Sequence, residues 1–320
     1  MKKTIYFDVI VVGAVYLDIN LIGQIPLTPT VHRDYEIISS GYKMAAGGSS
    51  YIFAKTLRDL SLDSLFIGQT GRDAMADMLL KQIAKDKVNT DIARNPKAQT
   101  NVSVNVSGDK NDSISLTAGN ANQLLTPSAI EEKIKKWLSR SRALYIGGYF
   151  KMPQLANMYI GLAKQTQKLH NMVILDHGTV HHKVNALQIH QLHKLLPYVN
   201  YYLPNQEEFL KITKTTNLSS AHKQFRKLTT KTIAIVKCGS HGAVICANNR
   251  TTNVPTRKVK PIYTVGAGDS FNAGLIYGKI KGYSDKEATQ IAHNMAKIKI
   301  TRGTLLQSQK LLRQIKTSKI

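Results

Sequence analysis

One stretch limits what this chain can fold into more than any other: Tyr263-Thr264-Val265-Gly266-Ala267-Gly268-Asp269-Ser270-Phe271-Asn272-Ala273-Gly274. Small residues lead into an aspartate, and an apolar, small-residue helical pattern runs on through Leu275, Ile276 and Tyr277. Gly266 and Gly268 permit positive φ and a close approach of backbone to ligand. A helix that opens near Ala267 or Asp269 points free N–H groups out of its first turn, which makes an anion site. The Asp269 charge favours such a helix start, and its carboxylate can accept a proton. An anion site beside a base is what phosphoryl transfer to a hydroxyl requires. A plain loop and cap use the same residue types, so the remainder of the chain has to decide.

At 320 residues, one large α/β domain with a smaller appendage is expected, and 42% hydrophobic content supplies a core. No apolar run approaches the roughly 18 residues of a membrane span. Asp8 and Asp18 interrupt the apolar N-terminal stretch, so Val9–Ala14 reads as a buried strand and not a signal peptide. A cytoplasmic protein is the expectation, with Cys238 and Cys246 as two reduced thiols. The formal net charge is +24. Its lysines and arginines are scattered, without zinc-finger spacing or an aromatic ribonucleoprotein motif. A solvated lysine-rich surface is therefore expected, and nucleic acid is disfavoured as a partner.

Along the chain, Phe7–Ala14 reads as a strand, with Asp18 just past its end, where α/β sites gather. Residues 19–43 alternate in places and read as exposed antiparallel strands. Gly47-Gly48-Ser49-Ser50 opens a helix over 51–60, and Met75–Ala84 is a second. Residues 100–106 and 113–117 alternate with period two around Gly108-Asp109-Lys110-Asn111, a hairpin signal. From Pro127 onward strands and helices alternate up to a hairpin at 239–246, which implies a mainly parallel sheet covered on both faces. The organisation expected is a core of residues 1–18, 44–98 and 120–320 with a small β-sheet from 19–43 and 99–119.

Several motifs then fall into one order: Gly13-Ala14-Val15-Tyr16-Leu17-Asp18, Ala46-Gly47-Gly48, Gly119-Asn120-Ala121-Asn122, Asn205-Gln206-Glu207-Glu208, Lys237-Cys238-Gly239-Ser240-His241-Gly242-Ala243, the Gly266–Gly274 block, and Ala292-His293 through Thr301-Arg302-Gly303. In this order the chain resembles the ribokinase-like (PfkB) family of carbohydrate and nucleoside kinases from about Asp8 to Thr304. The resemblance implies a three-layer α/β/α fold with a small β lid, ATP and Mg²⁺ as cofactors, and a small sugar or nucleoside as substrate. It makes Asp269 the general base and the N–H groups of Gly266, Ala267 and Gly268 the anion hole. It puts Asn205 and Glu208 near magnesium, with Asn205, Lys237, Gly239, Gly242, His293 and Asn294 around the nucleotide. Asp18, Gly47, Gly48, Ile52 and Tyr149 fall on the acceptor side. It further implies a possible homodimer through the lid.

Two positions depart from the family pattern. Tyr263 stands where many members have an aspartate of a monovalent-cation site, and it brings no such charge, which puts a potassium requirement in doubt. Ile52 replaces a sugar-binding asparagine, so the acceptor pocket is more apolar, with Tyr16, Tyr51 and Tyr149 as rings that can stack on a base or a sugar face. These departures keep two alternatives open: a nucleoside kinase, and a non-catalytic binding member of the fold. Asp176-His177, with His181 and His182 nearby, matches no usual zinc spacing and reads as a loop near the nucleotide.

Overall fold

The computed structural model describes residues 4, 6–23, 38–107, 113–180, 184–261 and 265–302. Tyr263, His181, His182 and the basic C-terminal stretch lie outside them. The main sheet starts from β1 (Phe7–Val12), whose last four residues are buried. A run of Val and Ile with no polar alternation suits a strand covered on both faces. The chain then enters the smaller sheet through β2 (Tyr16–Ile22) and β3 (Gly41–Gly47) before helix α1 (Ser49–Asp59). Next come β4 (Ser64–Gly71), α2 (Ala74–Asp86) and β5 (Asn89–Asn95), followed by β6 (Val102–Ser107) and β7 (Ser113–Ala118). The regular half holds α3 (Pro127–Leu138), β8 (Ser141–Gly147), α4 (Ala156–Lys168), β9 (Met172–Asp176), α5 (Ala186–Leu195), β10 (Tyr201–Tyr202), α6 (Gln206–Thr213) and α7 (Leu218–Leu228). It closes with β11 (Ile233–Lys237), β12 (Ala243–Ala247), β13 (Arg250–Val254), α8 (Ala267–Ile280) and α9 (Asp285–Arg302).

Among the described residues the main sheet has nine strands in the order β13-β12-β11-β10-β9-β8-β1-β4-β5. The pairs from β11 through β5 are parallel, and β12 and β13 add an antiparallel edge. One core lies between this sheet and a layer that includes Leu57 of α1, Leu79 of α2, Leu275 of α8 and Ala292 of α9. A second core on the opposite face takes Ile134 of α3, Leu162 of α4, Leu192 of α5 and Phe225 of α7. This is the three-layer α/β/α arrangement expected from the alternating pattern. Strands β5 and β13 were not expected: both have open faces with few apolar residues, and β13 reads Arg-Thr-Thr-Asn-Val.

The smaller sheet runs β3-β2-β6-β7. It reaches further than the sequence reading allowed, since β2 and β3 stay in register from Ile22↔Gly41 back to Tyr16↔Gly47. Tyr16–Asp18 and Met44–Gly47 therefore belong to this sheet and not to the main body. Asp18 sits within β2 opposite Ala45, where it was expected just past a strand end. β2 also pairs with β6 in parallel, and the expected hairpin is present as β6 and β7 in antiparallel register. Its turn, like residues 24–37, lies outside the described residues.

Helices α8 and α9 pack unusually close. A Cβ added at Gly274 would lie 2.7 Å from Met295 Cγ, and one at Gly278 would lie 2.8 Å from Ala288 Cα. The absent side chains let two largely buried helices lie against each other, which holds the start of α8 against the sheet. We expect Gly278→Ala to lower stability by about 1–3 kcal/mol through overpacking, as read by urea denaturation. Helix propensity alone would raise stability by roughly 1 kcal/mol; a rise of that kind would show that the two helices can separate freely.

Candidate active site

The carboxyl ends of β1, β8, β9 and β11, and the chain just beyond β10, open on one cavity of about 380 Å³. Its lining includes Ala14, Tyr16, Ser49, Gly148, Asp176, Asn205, Glu208, Lys237, Gly239, Gly268 and Asp269. Open α/β sheets place ligands at this edge. A larger hollow of about 490 Å³ lies at the opposite end, around Leu65, Asp91, Lys133 and Trp137. It contains none of the residues singled out above, and two of its four ionic lining groups, Lys133 and Asp91, pair with each other at 2.5 Å.

Helix α8 begins at Ala267, with Gly266 as its N-cap at φ 79°. That left-handed conformation is why glycine stands there. Asp269 lies in the first turn. Its carboxyl is pushed up to about 7, mainly by burial and then by the charge of Asp176, against the pull of Lys237 and Lys299 and a hydrogen bond from Ser49. A carboxyl poised there exchanges a proton near neutral pH.

Beneath Asp269 lies a buried polar network. Lys237 Nζ donates to Asp176 Oδ2 at 3.3 Å and to Asn272 Oδ1 at 3.2 Å. Asn272 Nδ2 donates to Asp176 Oδ2 and to Tyr145 Oη, the latter at 3.3 Å. Gly178 N donates to Asp176 Oδ1 at 2.8 Å. Burial pushes the Asp176 carboxyl up, but Lys237, His177 and these hydrogen bonds outweigh it and hold Asp176 below the usual range. Asp176 and Asn272 carry this network; the sequence reading put Asp176 only in a loop near the nucleotide and gave Asn272 no role. Their signals were present: Asp176 ends a strand, and Asn272 follows Asp269 by one helical turn.

Asn205 caps α6 in a reciprocal box. Its Oδ1 accepts from Glu208 N, and Glu208 Oε2 accepts from Asn205 N, both at 2.8 Å. Glu208 is nevertheless buried. Its carboxyl rises to about 7 through burial and the Asp176 charge, opposed by Lys237. A buried carboxylate on the cavity wall, beside Asp176 and Lys237, fits one protein ligand of a magnesium ion that keeps its waters and binds phosphate oxygens. The same reciprocal bonds fix the Glu208 side chain against the Asn205 backbone.

The other expected residues separate. Gly239, at φ 57°, faces open space on the cavity wall. Gly242 is needed for a different reason: a Cβ there would meet Val254 O at 2.2 Å. Gly47 lies under the Asp18 carboxylate, and Gly48 caps α1 at φ 95°. Burial pushes the Asp18 carboxyl up to about 7. Ile52 stands against Gly266. Tyr149 is fully buried against Phe150 and Tyr159 and does not line the cavity. Tyr51 is also core, with its ring on Phe66 and its hydroxyl donating to Asp86. Of the three tyrosines expected to offer a ring to the substrate, Tyr16 lines the cavity. His293 is buried on α9 with its ring 5.4 Å from Phe271, and burial takes its imidazole down to about 4. The neighbouring Asn294 is half-buried on the same helix.

A family model described as pfkB family carbohydrate kinase matches residues 8–310. The chain belongs to that family. At this level the pfkB protein is a sugar or nucleoside kinase. It is 24% identical over 263 residues to an adenosine kinase of Schizosaccharomyces pombe, covering 76% of this chain and 75% of that one. It is 21% identical over 283 residues to a ribokinase of Lactococcus lactis, covering 88% and 87%. The fold matches ribokinase from Giardia lamblia with a TM-score of 0.80 at 17% identity, covering 96% and 99% of the two chains. Arabidopsis thaliana ribokinase complexed with ribose and ATP gives 0.78 at 19% identity, covering 98% and 99%.

Lys237 and Asp176 form a largely buried pair, with side chains 16% and 9% exposed. Removing one member of such a pair costs about 3–5 kcal/mol. Lys237→Met is therefore expected to lower stability by about that amount at neutral pH. The loss should shrink as pH falls, because an unpaired Asp176 then takes up a proton. Denaturation midpoints measured across the acid range check this; a loss that does not change with pH would put the cost in packing.

Proposed function

We propose that this pfkB protein transfers the γ-phosphoryl group of ATP, with Mg²⁺, to a hydroxyl of a small sugar or sugar-like substrate. The observation that carries the reading is the Asp269 carboxyl, held near neutrality at the start of α8 and opening on a cavity that Lys237 also lines. Asp269 takes the proton of the acceptor hydroxyl as its oxygen attacks the γ-phosphorus. The bond to the β–γ bridging oxygen breaks, and ADP leaves. The N–H groups of Gly266, Ala267 and Gly268 face the charge on the transferring group, where one such donor is worth roughly 2.7–4 kcal/mol of barrier.

Magnesium neutralises phosphate charge, and Glu208 is the carboxylate that would hold it, oriented by Asn205. Lys237 adds a point charge toward the phosphates, and the open Gly239 gives the nucleotide access to backbone. Asp18, seated over Gly47, accepts from acceptor hydroxyls. The smaller sheet acts as the lid that excludes water during transfer. Tyr42 and Leu116 stand exposed on that sheet, which supports pairing of two lids in a homodimer. A polyol is favoured over a nucleoside because Tyr51 and Tyr149, two of the rings that would sandwich a base, are buried in the cores.

Asp269→Asn is expected to lower kcat by about 10²–10⁴-fold, the usual share of a general base, with ATP binding nearly intact. Because the Asp269 carboxyl lies near 7, above its ordinary value, the base form fills as pH rises. Wild-type turnover should climb through about pH 7 and level off above it. ADP release is to be measured against pentoses, hexoses, sugar phosphates and nucleosides, with a no-acceptor control, with and without potassium. Normal turnover in the Asn variant, or ATP binding without turnover on any acceptor, would overturn the reading.

A further inference from the structure

Lys299 was given no role above, yet α9 carries it to the start of α8. A Cβ built at Gly266 would lie 3.0 Å from Lys299 Cε and 3.5 Å from Ile52 Cγ2. The lysine stem and the isoleucine thus crowd the same point above the N-cap of the helix that holds Asp269. A cation is an unfavourable guest there, because a helix start already carries the positive end of the macrodipole. Its placement is explained if the local charge it balances is negative.

We infer that Lys299 is a positioning residue for the reaction: its ammonium keeps the Asp269 carboxylate ionised and reinforces the positive field behind Gly266–Gly268. The inference rests on the kinase reading above. The charges around it are consistent. Asp269 faces Asp176 from β9, Lys237 from β11, Lys299 from α9 and the Ser49 hydroxyl from α1. Lys299 in turn faces Asp269 from α8 and Lys55 and Asp59 from α1. Burial pulls the Lys299 ammonium down, and the Asp269 charge holds it up. With Asp176 close by, Asp269 needs more positive charge than Lys237 alone brings, since Lys237 is already hydrogen-bonded to Asp176 and Asn272. Ile52 also acquires a role: an apolar side chain beside a lysine stem keeps water from screening the ammonium.

The sign of the effect is fixed. Lys299 lowers the Asp269 pKa, so its removal raises it, and the base form then fills at higher pH. In the full-length protein, Lys299→Met is expected to move the acidic limb of the kcat profile up by about one unit, in the range of a lost neighbouring charge. Turnover at about pH 6 should then fall roughly tenfold, with the KM for ATP little changed and activity recovering at high pH. Lys299→Arg should restore the wild-type profile. Lys299→Gln carries the same test if the methionine variant does not fold. As a readout independent of turnover, the Asp269 carboxyl is titrated by ¹³C NMR, its signal assigned by its disappearance in Asp269→Asn. An unmoved limb and titration in the Met or Gln variant, or an Arg variant as impaired as Met, would overturn the inference. A wild-type protein that turns over no acceptor, but whose Asp269 titration moves in Lys299→Met, would overturn the kinase reading and leave the Lys299–Asp269 coupling standing.

Discussion

The candidate site depends on balancing three carboxyl groups crowded at one end of a parallel sheet. Asp176, Glu208 and Asp269 line the same cavity. Burial pushes each of them toward the neutral form, and the Asp176 charge pushes the other two further. Left alone, such a cluster would be protonated or would drive its helices apart. The structure counters this with Lys237 at the centre, hydrogen-bonded to Asp176 and Asn272, so that Asp176 stays ionised while Asp269 and Glu208 rest near neutrality. The outcome is a division of labour. In the proposed reaction Asp176 holds the network together, Asp269 exchanges the proton, and Glu208, braced by Asn205 N, would meet the cation.

The fold serves this balance by bringing strand ends together. Ala14, Gly148, Asp176, Asn205 and Lys237 all follow or end parallel strands, so their spacing is that of the sheet and does not depend on loop conformation. Helix α8 completes the site because Gly274 and Gly278 allow α9 to press against it. Two largely buried helices packed this closely keep the first turn of α8, with Gly266 and Asp269, from shifting relative to Lys237. The net charge of +24 lies mostly elsewhere, on lysines that are exposed or half-buried among the described residues. Inside the site single lysines matter, since low dielectric enlarges what each contributes.

The two departures from the family pattern now differ in meaning. Ile52, expected on the acceptor side, stands over Gly266 beside the Lys299 stem, so it belongs to the wall of the helix start. Of the rings that would make a base-stacking pocket, Tyr51 and Tyr149 are committed to the two cores. Tyr263 lies outside the described residues.

By itself the sequence determined the alternation of strands and helices, the three-layer fold, the hairpin of β6 and β7, and the Gly-Ala-Gly-Asp opening of α8. All of these rest on local rules: hydrophobic period, glycine conformation and helix capping act within a few residues. The Asn205–Glu208 pair stood out only through the family resemblance, as residues near magnesium; the structure shows that the two close a capping box. The tertiary structure alone decided which side chains face the cavity. Gly239 and Gly242 look alike in sequence, yet one lies on the cavity wall and the other makes room for the Val254 carbonyl. Tyr16 lines the cavity while Tyr51 and Tyr149 are core, because which side of a helix or turn faces inward depends on what packs against it. Asp176, Lys237 and Lys299 face Asp269 from three separate elements, β9, β11 and α9, and no local pattern encodes a distance between elements. That distance is set by the sheet register and the packing of α8 on α9.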